Sequence, residues 1–431
     1  MIVEFSVKNF RSISDLQTIS FVASNLKSSV DNEFVDSKNI VPYNGMNILK
    51  TVGIYGANAS GKSNIIKAFE YFRDAVSELP SPESRLEKLT QPFLFQDKTE
   101  YSESFFQIVL FVQGKKIRYG FTVKKNQEDV NNSKHSREII TSEWLFGPKN
   151  VNQGKLFTRK YLDIDKSSLP NSERIPPLEY DHTLFLTHAA SYNKDDICAN
   201  IRLAISSYIT SKLSSDVDYY RFHSMRIIDN KELKPKFLDF LKSFGLNYKD
   251  IYLKKDSENE KYQQIPLERL FLTKASCNND NVNITLNMQE HESEGTKKLF
   301  NIAGLILHAF TIEINGLIII DEIDSNFHPS LLIKLINIFN NSNINKSNVQ
   351  LLFTSHDTNL MDPKIMRRDQ FYFAEIQDNE STKFYSLAEL KGIRNDANFA
   401  KQYLAGSYGG NPILSDYKND FKVEDYGTLG N

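Results

Sequence analysis

The chain alternates between two kinds of hydrophobic pattern. One kind is mostly apolar without alternation: Ile48 to Tyr55, Gly316 to Ile320 and Val349 to Thr354 are short β-branched and apolar runs, as strands buried on both faces of a parallel sheet must be. The other kind alternates with period two. Ile2 to Val7 reads this way, Ser104 to Val112 and Ile117 to Lys124 form a hairpin across Gln113 to Lys116, and Ile139 to Phe146 with Lys155 to Arg159 continue the meander. Helical periodicity appears in Ile201 to Leu213 and Pro235 to Phe244, and again where Leu299, Ile302, Ala303 and Ile306 share one face. No stretch holds heptads for three repeats, which excludes a long coiled coil. The pattern predicts an α/β protein: a mixed central sheet, an antiparallel β layer beside it, and an inserted, mainly helical lid. The expected division is 1–160 for the first lobe, 161–285 for the lid, 286–414 for the second lobe and 415–431 for a polar tail.

The first buried run empties into Gly56-Ala57-Asn58-Ala59-Ser60-Gly61-Lys62-Ser63, and a helix follows at once from Asn64. Glycines at 56 and 61 let the backbone curl so that successive N–H groups converge on phosphate oxygens, with the helix N-terminus adding partial positive charge. Lys62 would reach the β- and γ-phosphates and the Ser63 hydroxyl would ligate Mg2+. Strand, loop and helix in that order make this a nucleotide site rather than a glycine turn.

The second buried run ends in Asp321-Glu322. A carboxylate at the strand end, Asp321, would hold the metal, and Glu322 would orient and deprotonate the attacking water, which points to hydrolysis rather than transfer to a second substrate. The third ends in Thr354-Ser355-His356-Asp357, where His356 would contact the γ-phosphate or that water. Between loop and acids, Ser293-Glu294-Gly295 opens an amphipathic helix, with Ser293 as N-cap and the helix end offering N–H groups to an anion.

Composition narrows the partners. With 52 basic and 54 acidic residues the net charge is −2, so no global field draws the chain to nucleic acid or anionic membrane. The most apolar long stretch, Asn301 to Ile320, is broken by His308, Glu313 and Asn315, which excludes a bilayer span, and the alternating N-terminus is no signal peptide. Cys198 and Cys277 lack metal spacing and read as two reduced thiols. The expected location is the cytoplasm.

The order phosphate loop, capped helix, acidic strand, histidine strand resembles the ATP-binding cassette head of the SMC, RecF and OLD group, and most of all bacterial AAA-type ATP-binding proteins of the RloA/AbiL kind. Ser293-Glu294-Gly295 stands where that group has its Ser-Gly-Gly signature. Phe5 to Ile13 resembles its first strand and "NF-R-S" turn, Asp321 to Leu332 its acidic motif and dimer loop with Asp324, and Tyr403 to Leu414 a C-terminal pattern of the subgroup. The resemblance implies a P-loop NTPase of the cassette-head type that hydrolyses ATP with Mg2+. It implies a homodimer or higher oligomer in which the phosphate loop and acids of one copy meet Ser293, Glu294 and Gly295 of the other. Arg11 would contact phosphate or that signature. The group's magnesium-sensing glutamine has no counterpart in Leu184 to Ser191, where Thr187 or His188 would substitute.

For function the resemblance implies an ATPase subunit of bacterial anti-phage defence that controls a separately encoded effector such as a nuclease. Fewer than about 80 residues follow the histidine strand, against about 100 for a typical domain. The alternative is a RecF-like repair ATPase with DNA as partner, for which Lys297-Lys298 and Arg367-Arg368 are the basic candidates.

Overall fold

The computed structural model describes residues 1–96, 101–126, 138–149, 152–192, 196–211, 217–255, 261–262, 265–276, 279–311 and 316–412. The expected polar tail at 415–431, Cys277, and the interrupting Glu313 and Asn315 lie outside the described residues.

The three buried runs became neighbours in one six-stranded sheet, except that the first is split: Ile48 and Leu49 end a separate strand, Met46–Leu49, paired with Ile40–Tyr43, and only Thr51–Tyr55 enters the sheet. Its order is Ile209–Ser211, Leu317–Ile320, Gln350–Thr354, Thr51–Tyr55, Phe371–Ile376 and Thr382–Ser386, parallel except for the last strand. Register sets Ile320 beside Phe353, and Thr354 beside Ile54, so the strand ends carrying Asp321, Ser355 and Gly56 line up at one edge. Outside the C-terminal ends of parallel strands is where α/β sheets gather ligands.

The alternating runs form a seven-stranded antiparallel meander in the order Asp163–Asp165, Asn152–Lys160, Glu138–Lys149, Lys115–Lys125, Ser104–Val112, Ile2–Lys8, Gln17–Ser20. Its hairpin is tighter than the sequence suggested. Gln113 and Gly114 alone make the turn, because a two-residue loop matches the twist of the strands it joins, and Lys115 and Lys116 are already paired with Val112 and Phe111. The helix Lys62–Ser77 packs its buried Ile65, Phe69 and Phe72 against this layer, Phe69 stacking on Phe5 with ring centres 3.7 Å apart. Gln350 ties the two sheets together: its Oε1 accepts from Ile2 N at 2.6 Å and its Nε2 donates to Ile2 O at 3.0 Å.

The inserted segment holds the helices Phe185–Tyr192, Ile197–Tyr208, Val217–Asp229 and Leu233–Ser243. It also holds two features the periodicity did not reveal. The helix expected over 201–213 ends at Tyr208, and Ile209–Ser211 adds a parallel edge strand beside Leu317–Ile319. A β-branched Ile-Thr pair next to an open edge of a buried sheet gains more from ladder bonds than from another helical turn. A three-stranded antiparallel sheet, Asp250–Leu253, Leu270–Ser276 and Asn279–Asn287, completes the segment. Cys198 is buried, and burial pushes its thiol pKa up, in keeping with an inert thiol.

Lys50, at the start of the phosphate-loop strand, is wholly buried. Its ammonium donates to the carbonyls of Lys38 at 2.9 Å and Asn340 at 3.0 Å and to Ser342 Oγ at 2.6 Å, thereby capping the C-terminal ends of the helices Glu33–Asn39 and Pro329–Asn340. Lys50→Met would keep the apolar stem and strand both carbonyls without a donor. We expect it to lower the unfolding free energy by about 3 kcal/mol, read from urea midpoints at unchanged m-value.

Candidate functional site

The phosphate loop is clamped from three directions. Below, Ala57 N donates to Gly410 O at 2.8 Å, which places the 403–412 segment against the start of the loop; Ile413 and Leu414 fall outside the described residues. To one side, Thr382 Oγ1 donates to Ser60 O at 3.0 Å. To the other, the first turn of the chain supplies Ser12, whose hydroxyl pairs with Thr382 Oγ1 and accepts from Asn64 Nδ2, both at 2.7 Å. Gly61, at φ +91°, is required here: a Cβ would come within 2.0 Å of Thr382 Oγ1 and 2.7 Å of Ser12 Oγ. Sequence reasoning passed over Ser12, Asn64 and Thr382, and only Ser12 carried a signal, in the "NF-R-S" turn.

Lys62 folds over the loop, donating to Gly56 O at 2.9 Å and Ala57 O at 2.7 Å. Burial lowers its pKa, while Asp321, Glu322 and Asp324 pull it back up, so these carboxylates face the lysine across the cleft. Ser63 lies in the first turn of the helix beside it. The acids are fixed by the neighbouring strand: Thr354 Oγ1 donates to Asp321 Oδ1, and the same oxygen accepts from Glu322 N at 2.8 Å. Glu322 itself is left-handed, with φ +49°, as are Ala59 at +62° and Arg11 at +52°. Such backbone costs of order 1–3 kcal/mol per residue and gathers at working sites.

His356 stands just past the end of its strand, and its main-chain N–H donates to Asp324 Oδ2 at 3.2 Å. Desolvation and then Lys62 hold its pKa below the ordinary histidine value, against the pull of Asp324, Glu322 and Asp321, leaving a neutral imidazole at pH 7. The structure therefore brings together Gly56 to Ser63, Asp321, Glu322 and His356.

Arg11 is held at the rim by a glutamine that the sequence did not single out: Arg11 N donates to Gln91 O at 2.6 Å and Arg11 Nη1 to Gln91 Oε1 at 3.1 Å. The 293–295 run lies apart. Thr296 N donates to the Ser293 hydroxyl at 3.3 Å, the expected cap, and Ser293 and Glu294 are exposed. Among the described residues no hydrogen bond joins 293–295 to the phosphate loop.

Two expectations change. Leu184 to Ser191 is no strand end: Phe185–Tyr192 is helix, where Thr187 Oγ1 donates to Leu184 O at 2.8 Å and His188 Nε2 bonds Pro176 O at 2.9 Å. Thr187 shares a cavity with Ala75, Glu78 and Leu79 at the far end of the 16-residue phosphate-loop helix, where Ala75 lies about 20 Å from Lys62 at about 1.5 Å per residue. Neither side chain can replace the sensing glutamine. The basic pairs weighed as a nucleic-acid surface are committed within the chain. Arg367 pairs with Asp36 and Asp369, Arg368 Nη1 donates to Ile393 O, Lys297 pairs with Glu294, and Lys298 bonds the loop after the acids.

Magnesium bound to a nucleotide usually takes one or two protein ligands and completes its shell with phosphate and water. Ser63 and Asp321 fit that modest role; among the described residues no group of three or more His, Cys, Asp or Glu forms a cage of its own. Among those residues, also, no helix is long and apolar enough to cross a membrane.

The chain is similar to several known proteins. A stretch of 139 residues is 29% identical to the DNA replication and repair protein RecF of Caldanaerobacter subterraneus subsp. tengcongensis, covering 30% of this chain and 36% of that protein. The chain thus matches about a third of the length of that curated relative. The SMC head domain from Thermotoga maritima superposes with TM-score 0.42 at 13% identity over 89% of this chain and 98% of that one. An SmcHead solved bound to the C-winged helix domain of ScpA gives 0.44 at 13%, over 89% and 97%. A family profile spans residues 52–362, from the phosphate-loop strand through the histidine strand, and the chain belongs to that family, described as "AAA domain, putative AbiEii toxin, Type IV TA system".

Proposed function

We propose that the chain is an ATP-hydrolysing head whose nucleotide is sandwiched between two copies, and that this assembly controls a separate effector in bacterial anti-phage defence, in the manner of RloA/AbiL-like proteins. The supporting observation is the division of the site. Gly56 to Ser63, Asp321, Glu322 and His356 converge, whereas exposed Ser293 and Glu294 and half-buried Gly295 open a helix at a turn that, among the described residues, has no hydrogen bond to the phosphate loop. A second copy would bring its 293–295 face, a helix N-terminus suited to an anion, over the γ-phosphate. In this reading Lys62 leaves the carbonyls of 56 and 57 for the phosphates, and Arg11, poised by Gln91, reaches the same anion or the incoming signature.

Magnesium, held through Ser63 and Asp321, would neutralise charge on the β- and γ-oxygens. Glu322 takes the proton of the attacking water and His356, neutral, holds that water or the γ-phosphate in line. The family's description, a toxin of a toxin–antitoxin system, favours the defence reading. The partial RecF match favours a second one, a DNA-binding ATPase of repair or recombination, though Arg367 and Lys298 offer it no free patch.

Mass by light scattering, with and without ATP and Mg2+, tests the sandwich. The wild type is expected to double its mass or more on adding ATP, and Lys62→Ala to stay at the starting mass. A wild-type mass indifferent to ATP would remove the sandwich; salt-sensitive DNA binding without an effector partner would favour the second reading.

A further inference from the structure

The helix that begins at Glu294 is tied to the loop behind the acids by one side chain. Lys298 donates to Glu322 O at 3.0 Å, Ile323 O at 3.3 Å, Ser325 O at 2.9 Å and Ser325 Oγ at 2.6 Å, and its ammonium lies 5.1 Å from the centre of the Phe327 ring. An ammonium has three protons, so this one is fully engaged with a single loop. Burial brings its pKa down to about 8 while Asp324 and Glu322 pull the other way, in keeping with a desolvated cation enclosed by that loop.

Two further contacts show what the tie accomplishes. The main chain of Glu322, left-handed at φ +49°, is gripped at both ends: its N–H by Thr354 Oγ1 at 2.8 Å, its carbonyl by Ser325 N at 3.1 Å together with Lys298. The first helical turn presses on the same loop, because a Cβ on Gly295 would lie 2.4 Å from Asn326 O. A shift of the 293–298 turn therefore moves the main chain that carries the Glu322 side chain.

We propose that Lys298 is a positioning residue: it joins the Glu322–Asn326 loop to the helix of Ser293–Gly295, so that a head's catalytic acid and the surface it offers its partner move as one body. The proposal rests on the sandwich reading, and within it has a consequence. The 293–295 face meets the nucleotide bound to the partner, whereas Glu322 serves the nucleotide bound to its own head. Lys298 then links the two nucleotides, and occupancy of one site biases the acid of the other, which is coupling in the thermodynamic sense.

The test uses the full chain as wild type, Lys298→Met and Lys298→Arg, reading phosphate release against ATP concentration, affinity for a fluorescent ATP analogue, ATP-dependent mass and the thermal midpoint. Lys298→Met is expected to lower kcat roughly 10- to 100-fold, the scale of a small misplacement of a catalytic group. Its analogue affinity should stay within about threefold and its mass response be kept, since it leaves the phosphate loop alone. The Hill coefficient for ATP is expected to exceed one in the wild type and to fall to one in Lys298→Met, and a wild-type coefficient of one overturns the coupling. Lys298→Arg, with five donors for the same carbonyls, should recover most of the rate and the cooperativity. A Lys298→Met protein with wild-type kcat and Hill coefficient overturns the proposal. So does a loss of nucleotide affinity and thermal midpoint that Lys298→Arg shares, since that is the mark of a merely structural lysine. A wild type that hydrolyses ATP without changing mass strikes the sandwich itself, and the coupling falls with it.

Discussion

Glu322→Gln is expected to bind ATP as tightly as the wild type, to release phosphate about 100- to 1,000-fold more slowly, and to remain in the larger ATP-bound form long after the wild type has returned to its starting mass. The substitution is nearly isosteric, so the left-handed backbone at 322 and its bond to Thr354 Oγ1 need not change. What changes is basicity: an amide cannot take a proton from water. Lys62 loses one of the carboxylates that raise its pKa, but the chief influence on that group is burial, and Asp321 and Asp324 remain. Phosphate release and light scattering on one sample decide the matter. A variant that turns over at the wild-type rate would show that Glu322 is not the base, and attention would pass to His356, a neutral imidazole at the same cleft. A slow variant that never assembles would keep the base and remove the ATP-held dimer.

The phosphate-loop and acid half of the candidate site was legible because its placement depends on local sequence. A buried strand, a glycine loop and a helix follow one another at 51–77, and the acids and His356 each terminate an apolar run, so the sheet needed only to set those runs side by side. The antiparallel layer was legible for a similar reason, since period-two alternation survives wherever one face is buried. What escaped were contacts made over long separations by residues with ordinary roles nearby. Thr354 looked like the polar end of a strand, yet it binds both Asp321 and Glu322. Gln91 and Thr382 lie in stretches with no motif and reach the site through Arg11 and Ser12. The strand at 209–211 is fixed by an open sheet edge, which no window of sequence contains. Thr187 and His188 were misplaced because an apolar run of six to eight residues reads equally as strand or buried helix.

Lys62→Ala heads and Ser293→Arg heads are each expected to be inactive alone, with hydrolysis below about 1% of wild type, and to regain activity when mixed. The first lacks the lysine proposed to hold the β- and γ-phosphates. The second keeps that loop but places a long cation where the partner's nucleotide is to meet the helix N-terminus, which blocks close approach. Ser293 is exposed and bonds only within its own first turn, so the damage should remain local and the fold intact. In a mixed pair one composite site joins the sound loop of the Ser293→Arg head to the sound signature of the Lys62→Ala head, and the other joins the two damaged halves. Neither variant is expected to assemble with itself, so the dimers that form at equal concentrations are mixed, each with one sound site of two, and recovery of about half the wild-type rate is the ceiling, reduced further to the extent that the two sites depend on each other. A site complete within one chain predicts no recovery at any ratio, because neither variant would hold an intact set. Ser293→Arg that hydrolyses normally by itself would show that the 293–295 run is an ordinary helix cap, and the division of the site between two copies would have to be abandoned.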